Sequence, residues 1–380
     1  MSDPLFLLAV LCANVALAEW LVRRTRLRHL GSALLVIVIT AIAANAGVIP
    51  PYSDAIPVYA GVFSYVAPLG IFWLLLQVRL KGLVHVGLPL FALFLVGAAG
   101  TIAGTLCGLA VVGGQSAFGE KSFALGGMFV ATYVGGSVNF NAVALQYGVV
   151  EDGALYAGAT VVDSAMTTIW MAVNVALPRL ARGFWPRRPG ATAEGRAAEA
   201  TTGLEDDTET VHPLDLALVV ALGALGLWAS EWLGARLGVP SMLVLTTIAL
   251  VLAQVPAVAR LRGPRLCGMF AVLVFLAVIG ALCDVRALAG IGALGTRLMV
   301  FVTVLVAVHG LLVYGAAAAL RIDAATASVA SQANIGGGAS ALALARSLGR
   351  AELVLPAILI GSLGNALGTY LGFLVASWLR

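Results

Sequence analysis

Val134-Gly135-Gly136-Ser137-Val138-Asn139-Phe140-Asn141-Ala142-Val143-Ala144 and Ile335-Gly336-Gly337-Gly338-Ala339-Ser340-Ala341-Leu342-Ala343-Leu344-Ala345 are, laid in register, two versions of one stretch. The glycines, the polar residue three positions beyond the second of them and the following Ala-(Val/Leu)-Ala superpose at a single offset. Glycine lets the backbone leave helical geometry at low steric cost, and a broken helix frees amide N–H and C=O groups. In lipid such groups cannot stay unpaired, so a break at membrane depth must face protein, water or a ligand. A new half-helix begins after each break, with Asn139 or Ser340 expected as its N-cap, and its N-terminus suits a carboxylate or other anion. The candidate substrate-binding residues are therefore Gly135, Gly136, Ser137, Asn139, Asn141, Asn334, Gly336, Gly337, Gly338 and Ser340. Tight small-residue helix packing is the competing reading of the glycines; the neighbouring Asn139, Asn141, Ser331, Gln332 and Asn334 weigh against it.

Around these motifs the chain is almost continuously apolar. Of its 380 residues, 61% are hydrophobic and 11% charged, and the mean hydropathy is +1.01. A soluble domain has about a quarter of its residues charged, so this chain is built for lipid. Segments able to form membrane elements are expected at 4–22, 31–48, 57–78, 84–112, 122–149, 153–178, 213–235, 239–258, 266–283, 296–320, 323–346 and 353–378. The first is read as a membrane helix rather than a removable signal, because it lacks a basic n-region. The polar stretch 179–211 reads as a linker between an N-terminal membrane repeat (1–178) and a C-terminal one (212–380). The halves share more than the motif: Ala18-Glu19-Trp20-Leu21 parallels Ser230-Glu231-Trp232-Leu233, and Asp163 and Thr167 align with Asn365 and Thr369 after a one-residue shift.

Charge placement orients the chain. If 122–149 and 323–346 are re-entrant, each half crosses five times and the basic groups at 23–28, 79–81, 179–188, 260–265 and 346–350 all fall on the cytoplasmic side. An odd number of crossings inverts one repeat against the other, as in many transporters. Whether the motif segments are hairpins or crossing, interrupted helices stays open at this level.

Asp163 is the one acidic residue well inside an expected span, and an intramembrane charge is by default a functional hypothesis. No Lys or Arg lies at comparable depth, so its natural partners are Na⁺ or H⁺, with Thr167, Asn365 and Thr369 as the accompanying ion-coupling set and Na⁺ as the metal to expect there. A structural Asp bonded to Ser164 or Thr167 is the alternative. Cys12, Cys107, Cys267 and Cys283 show no metal or disulfide spacing, and His309 is expected to pack or bond locally rather than relay protons. Trp20, Trp232 and Trp378 mark span ends as interfacial anchors. No hydrolase, metalloprotease or phosphate-loop signature is present, so an enzyme is not expected.

The stretches Thr132-Tyr133-Val134-Gly135-Gly136-Ser137-Val138-Asn139-Phe140-Asn141-Ala142-Val143-Ala144 and Ala333-Asn334-Ile335-Gly336-Gly337-Gly338, together with Asp163, resemble the YjcL-like integral-membrane family of unknown function, over nearly the whole chain. More distantly the plan is similar to the inverted-repeat glutamate, citrate and bile-acid sodium symporters and the cation/proton antiporters. That resemblance implies an organic, often anionic, substrate and cation coupling. The acidic pair typical of the antiporters is replaced by Val162-Asp163, and no deep arginine is present to clamp a carboxylate.

The expectation is thus an all-α polytopic membrane protein with two inverted repeats, each with one glycine-broken or re-entrant element. The expected function is secondary active transport, by alternating access in the cell membrane, of a small organic solute, anionic ones among the candidates, coupled to Na⁺ or H⁺ and without other cofactors. A monovalent cation/proton antiporter is the alternative, followed by a membrane-embedded enzyme and an assembly scaffold. Its partners are the solute and the lipid bilayer, with a homodimer as the assembly to test and no nucleic acid.

Overall fold

The computed structural model describes residues 3–25, 31–50, 56–80, 86–180, 185, 211–282 and 291–380. The expected linker lies, but for its first two residues, Trp185 and Val211, outside the described residues, as do Lys81 and Cys283. Among the described residues there are fourteen helices of nine or more residues. They are α1 (Pro4–Arg24), α2 (Gly31–Asn45), α3 (Pro57–Leu75, with one π-helical turn at Val62–Val66), α4 (Leu88–Val112), α5 (Ser122–Gly135), α6 (Ser137–Gln146) and α7 (Gly153–Leu180). The second set is α8 (Pro213–Leu237), α9 (Ser241–Ala253), α10 (Pro264–Leu282), α11 (Ile291–Ala319), α12 (Ala324–Ile335), α13 (Gly337–Ser347) and α14 (Val354–Leu379). Eight helices are long and apolar enough to cross a membrane, and α2 and α9 are shorter apolar helices. The protein is an all-α polytopic membrane protein.

The remaining four helices are the motif segments, and each pair is a hairpin. In a continuous helix Phe129 and Phe140 would lie about 16 Å apart at 1.5 Å per residue; their rings instead meet edge to face with centroids 5.8 Å apart. At the open end Phe123 meets Tyr147 at 5.2 Å, and Lys121 Nζ donates to the Tyr147 carbonyl at 2.8 Å. The α12–α13 pair closes in the same way. Gln332 Nε2 donates to Ser340 Oγ at 3.2 Å near the tip, and Arg350 Nη1 donates to Asp323 Oδ1 at 2.6 Å at the base. Both segments therefore return to the side they entered from.

Small residues let the elements around these hairpins touch backbone to backbone. The long helices α4 and α11 cross antiparallel, with Gly100 against His309, Gly104 against the Leu305 carbonyl and Gly108 against that of Phe301. Helix α5 runs antiparallel to α14, as Gly135 on Gly364, Ala131 on Gly368 and Gly127 on Gly372 show. Direction can be followed through the hydrogen bonds and close contacts. α5 opposes α4 (Thr101 to Tyr133, Thr105 beside Gly126), and α12 opposes α11 (His309 to Ser331, Tyr314 to Ser328). Since α11 itself opposes α4, α12 runs with α4 and the two hairpins point toward each other.

Helices α1–α3 and α8–α10 form a second body. There α3 and α10 pack antiparallel, with Phe63 on Phe275 at 5.7 Å and Gly268 against Leu74. Trp73 Nε1 donates to the Val219 carbonyl at 2.9 Å, and Arg79 bonds the carbonyls of Leu76, Ala253 and Ala259. The hairpin body meets it through Tyr156 on Phe275, Gly153 against Leu282 and the Thr247–Tyr370 hydroxyl pair at 2.8 Å.

Candidate functional site

The breaks fall where the repeated motif places them. Gly136 has φ +87° and ψ 173°, a region essentially restricted to glycine, and Gly337, its counterpart in register, has φ +74°. Gly135 plays a different part: it is helical and packs on Gly364. Both breaks border open space. A Cβ built on Gly337 would meet nothing within 4 Å; one on Gly136 would find only Asn365 Oδ1, at 3.6 Å. Ser137, at the tip of the first hairpin, is exposed, and Gly336, Gly337 and Gly338 are half-buried.

Asn139 and Ser340 are not the N-caps the sequence suggests. The cap positions are Gly136 and Gly336, which have no capping side chain, so the first amides of α6 and α13 are left without a side-chain acceptor. Asn139 is occupied elsewhere: Thr369 Oγ1, from α14, donates to its Oδ1 at 2.5 Å, and its Nδ2 is enclosed with no partner. Ser340 Oγ donates to the Gly337 carbonyl at 3.0 Å. Asn141 lies deeper in α6 and accepts from the Tyr156 hydroxyl.

Asp163 on α7 lies against Thr132 and Tyr133, at the end of α5 one turn before the first break. Its carboxylate and the Tyr133 hydroxyl are enclosed side by side, so that each is the other's nearest polar partner. On the other hairpin, Asn334 Nδ2 donates to the carbonyls of Phe94 and Ala330, while its Oδ1 has none. Tyr133, Asn139 and Asn334 each lie three residues from a glycine break; the Tyr133 hydroxyl faces Asp163, and Asn139 Nδ2 is lodged between Gly135 and Gly368. Asn139 Nδ2 and Asn334 Oδ1 are left enclosed without a hydrogen bond, which is costly in a native interior. Of the expected ion-coupling residues, Asp163 sits by the first hairpin's stem, Thr369 bonds Asn139 and Asn365 faces Gly136. Thr167 is half-buried and makes no side-chain hydrogen bond among the described residues. No metal-binding group of three or more His, Cys, Asp or Glu occurs among them either.

Sequence reading missed the polar frame behind the second hairpin. His309 Nδ1 donates to the Gly97 carbonyl at 2.9 Å, and Nε2 is hydrogen-bonded to Ser331 Oγ at 2.9 Å. Trp170 Nε1 donates to the same Ser331 oxygen at 2.8 Å. A second chain runs from the Tyr314 hydroxyl to Asn174 Oδ1, from Asn174 Nδ2 to Gln332 Oε1, and on to Ser340. Trp20, Trp232 and Trp378 are exposed at span ends as expected, but Trp73, Trp170 and Trp185 turn their indole N–H inward. Only the spacing of Ser328, Ser331, Gln332 and Asn334 on one apolar helix hinted at this frame.

Residues 9–380 match the family described as a protein of unknown function, DUF819. The chain is also 29% identical over 353 residues to the uncharacterized membrane protein YjcL of Bacillus subtilis (strain 168), covering 88% of this chain and 86% of that one.

Proposed function

The chain belongs to the DUF819 family, and from the geometry of its paired hairpins we propose that it is a secondary active transporter of a small organic solute. One observation carries the reading: two re-entrant hairpins, directed toward each other, break at Gly136 and Gly337 beside open space. Non-helical backbone at membrane depth is tolerated where it lines a cavity, and discontinuous helices of this kind hold substrates near the midplane. The recurrence of seven helices in one order, with the hairpins oppositely directed, supports an inverted repeat. The hairpin body (α4–α7 with α11–α14) moves against the body formed by α1–α3 and α8–α10, giving alternating access. Asp163 carries the coupling ion, Na⁺ or H⁺. The distribution of basic residues supports a cytoplasmic linker, with the first hairpin entering the cell membrane from outside and the second from inside. Cation/proton antiport needs only Asp163 and leaves the orphaned amides of Asn139 and Asn334 without purpose.

Alternating access can be tested without knowing the substrate. In a variant with the native cysteines replaced, Ser137→Cys should react with a membrane-impermeant maleimide from either face of oriented vesicles. A cysteine at Glu205 in the linker should react from the cytoplasmic face alone. Reaction of Ser137→Cys from a single face under all ion conditions would defeat the proposal.

A further inference from the structure

The outer legs of the two hairpins, α6 and α13, match in register but not in cover. Asn139 to Ala144 of α6 are buried, and α6 packs on α3 and α9 of the second body. The principal neighbours of α12 and α13 among the described residues are α4, α5, α7, α11 and α14, all of the hairpin body. Ala343, the register counterpart of buried Ala142, is exposed, as are Ala339, Arg346 and Ser347. At intervals of three and four these positions share one helix face. An uncovered face of a membrane protein meets lipid or water, and its side chains tell which. Toward lipid α8 turns Leu218, Leu225 and Trp228, and α11 turns Val300 and Leu311. The open face of α13 has nothing of the kind: among the described residues no exposed large apolar side chain lies between Leu320 and Leu355. It carries two alanines and then a cation and a hydroxyl, which are at home in water and costly in lipid.

The open face runs from the half-buried tip at 336–338 down to the base of the hairpin. That base lies on the linker side: Trp185 Nε1, within the linker, donates to the Ile322 carbonyl at 2.8 Å, next to the Asp323 that caps α12. The base of the first hairpin lies on the other side, because it leads through Val149–Glu151 into the start of α7, and α7 crosses to the linker. We infer that this conformation is open toward the linker side, with water reaching the hairpin tips along α13 while the matching way along α6 is shut, so that solute enters or leaves through a linker-side crevice. The inference deepens the transporter reading and rests on it, since a loading side has meaning only for a carried solute. The composition of the face also fits its burial in the opposite state. Small side chains admit close helix approach, so the second body can close on α13 as it now closes on α6.

The experiment uses the full-length protein in oriented vesicles, its native cysteines replaced, with a membrane-impermeant maleimide and a cysteine at Glu205 to mark the linker face. Ala343→Cys should react from the linker face at least about 10-fold faster than Leu225→Cys, an exposed lipid-facing position on α8, because apolar surroundings suppress the thiolate. It should also react at least about 10-fold faster from that face than from the other. A second measurement needs no variant: in the wild-type protein, amide hydrogen exchange over 340–345 should run at least about 10-fold faster than over 139–144. Ala343→Cys reacting no faster than Leu225→Cys, reacting equally from both faces, or equal exchange in the two legs would overturn the inference. If Ser137→Cys is reached from both faces while Ala343→Cys stays unreactive, the transporter stands and the linker-side crevice falls. If Ala343→Cys reacts as expected and Ser137→Cys is reached from the linker face alone, the crevice stands and its role in loading falls with the transporter reading.

Discussion

The two hairpins share a motif and a shape, yet their inner legs, α5 and α12, are held by different means. The first is held by the absence of side chains: Gly127, Ala131 and Gly135 of α5 lie on Gly372, Gly368 and Gly364 of α14 with carbonyls against Cα atoms. The second is held by polar side chains: Ser328, Ser331, Gln332 and Asn334 of α12 are buried and bonded to α4, α7 and α11. Their outer legs differ as well. Asn139 to Ala144 of α6 are buried, whereas α13 buries only Ala341, Leu344 and Ala345. Backbone contact is intolerant of added atoms and indifferent to charge; a polar frame tolerates volume better and depends on each partner being present. The first hairpin is therefore the fixed jaw of the site, and the second has the freer outer leg.

The largest effect expected from this contrast is steric. Gly368→Val places a Cβ about 2.6 Å from the Ala131 carbonyl and Asn139 Nδ2, and should cost more than about 3 kcal/mol, enough to abolish monodisperse protein in size-exclusion chromatography. Gly337→Ala meets open space and carries only the strain of φ +74°, about 1 kcal/mol. Equal losses at the two positions would break the comparison.

Next comes the clamp at the base of the second hairpin. Burial pushes the Asp323 carboxyl up, but the hydrogen bonds from Arg350 and Thr326 outweigh it and hold the group below the usual carboxylate range. A depressed carboxylate stabilises the fold above its unfolded value of about 4 and loses that contribution as pH falls through the lower folded value. Arg350→Met should therefore lower stability by about 2 kcal/mol at pH 7. The gap between wild type and variant in melting temperature should narrow below about pH 4. A gap that is constant from pH 7 to pH 3 would show that the clamp is not ionic.

The smallest effect concerns the frame. Ser331→Ala removes the acceptor of Trp170 Nε1 and the hydrogen-bond partner of His309 Nε2, and should cost about 1 kcal/mol. Hydrogen exchange should quicken over 324–335 and stay unchanged over 122–135; equal quickening in both would mean the hairpins are not independently held.

The register of the motifs was legible because glycine is the residue whose backbone freedom leaves a mark in sequence: Gly136 and Gly337 align at one offset, and both adopt positive φ. Asp163 was legible for a similar reason, as a charge in apolar surroundings. Hairpin against crossing helix was not, because the distinction rests on Phe129 meeting Phe140, and either path permits an apolar pair at that spacing. The capping role expected of Asn139 failed because its partner, Thr369, lies 230 residues away. Local propensity has no access to such a competitor. The same limit hid the Trp170–Ser331–His309 frame, each member of which reads singly as an ordinary core residue.

The packing of α5 on α14 also bears on how the chain is made. The glycine face of the first hairpin is synthesised early, but the helix that covers it begins at Val354, about 220 residues after Gly135. At ordinary translation rates of about 5–20 residues per second, that face waits roughly 10–45 s for its cover. During that interval the nascent first half holds an unfinished surface in the bilayer, closed by lipid or by the insertion machinery. Cover for this face is thus deferred to α14, and a ribosome that stalls before α14 releases a chain whose glycine backbone at Gly127 and Gly135 is left uncovered.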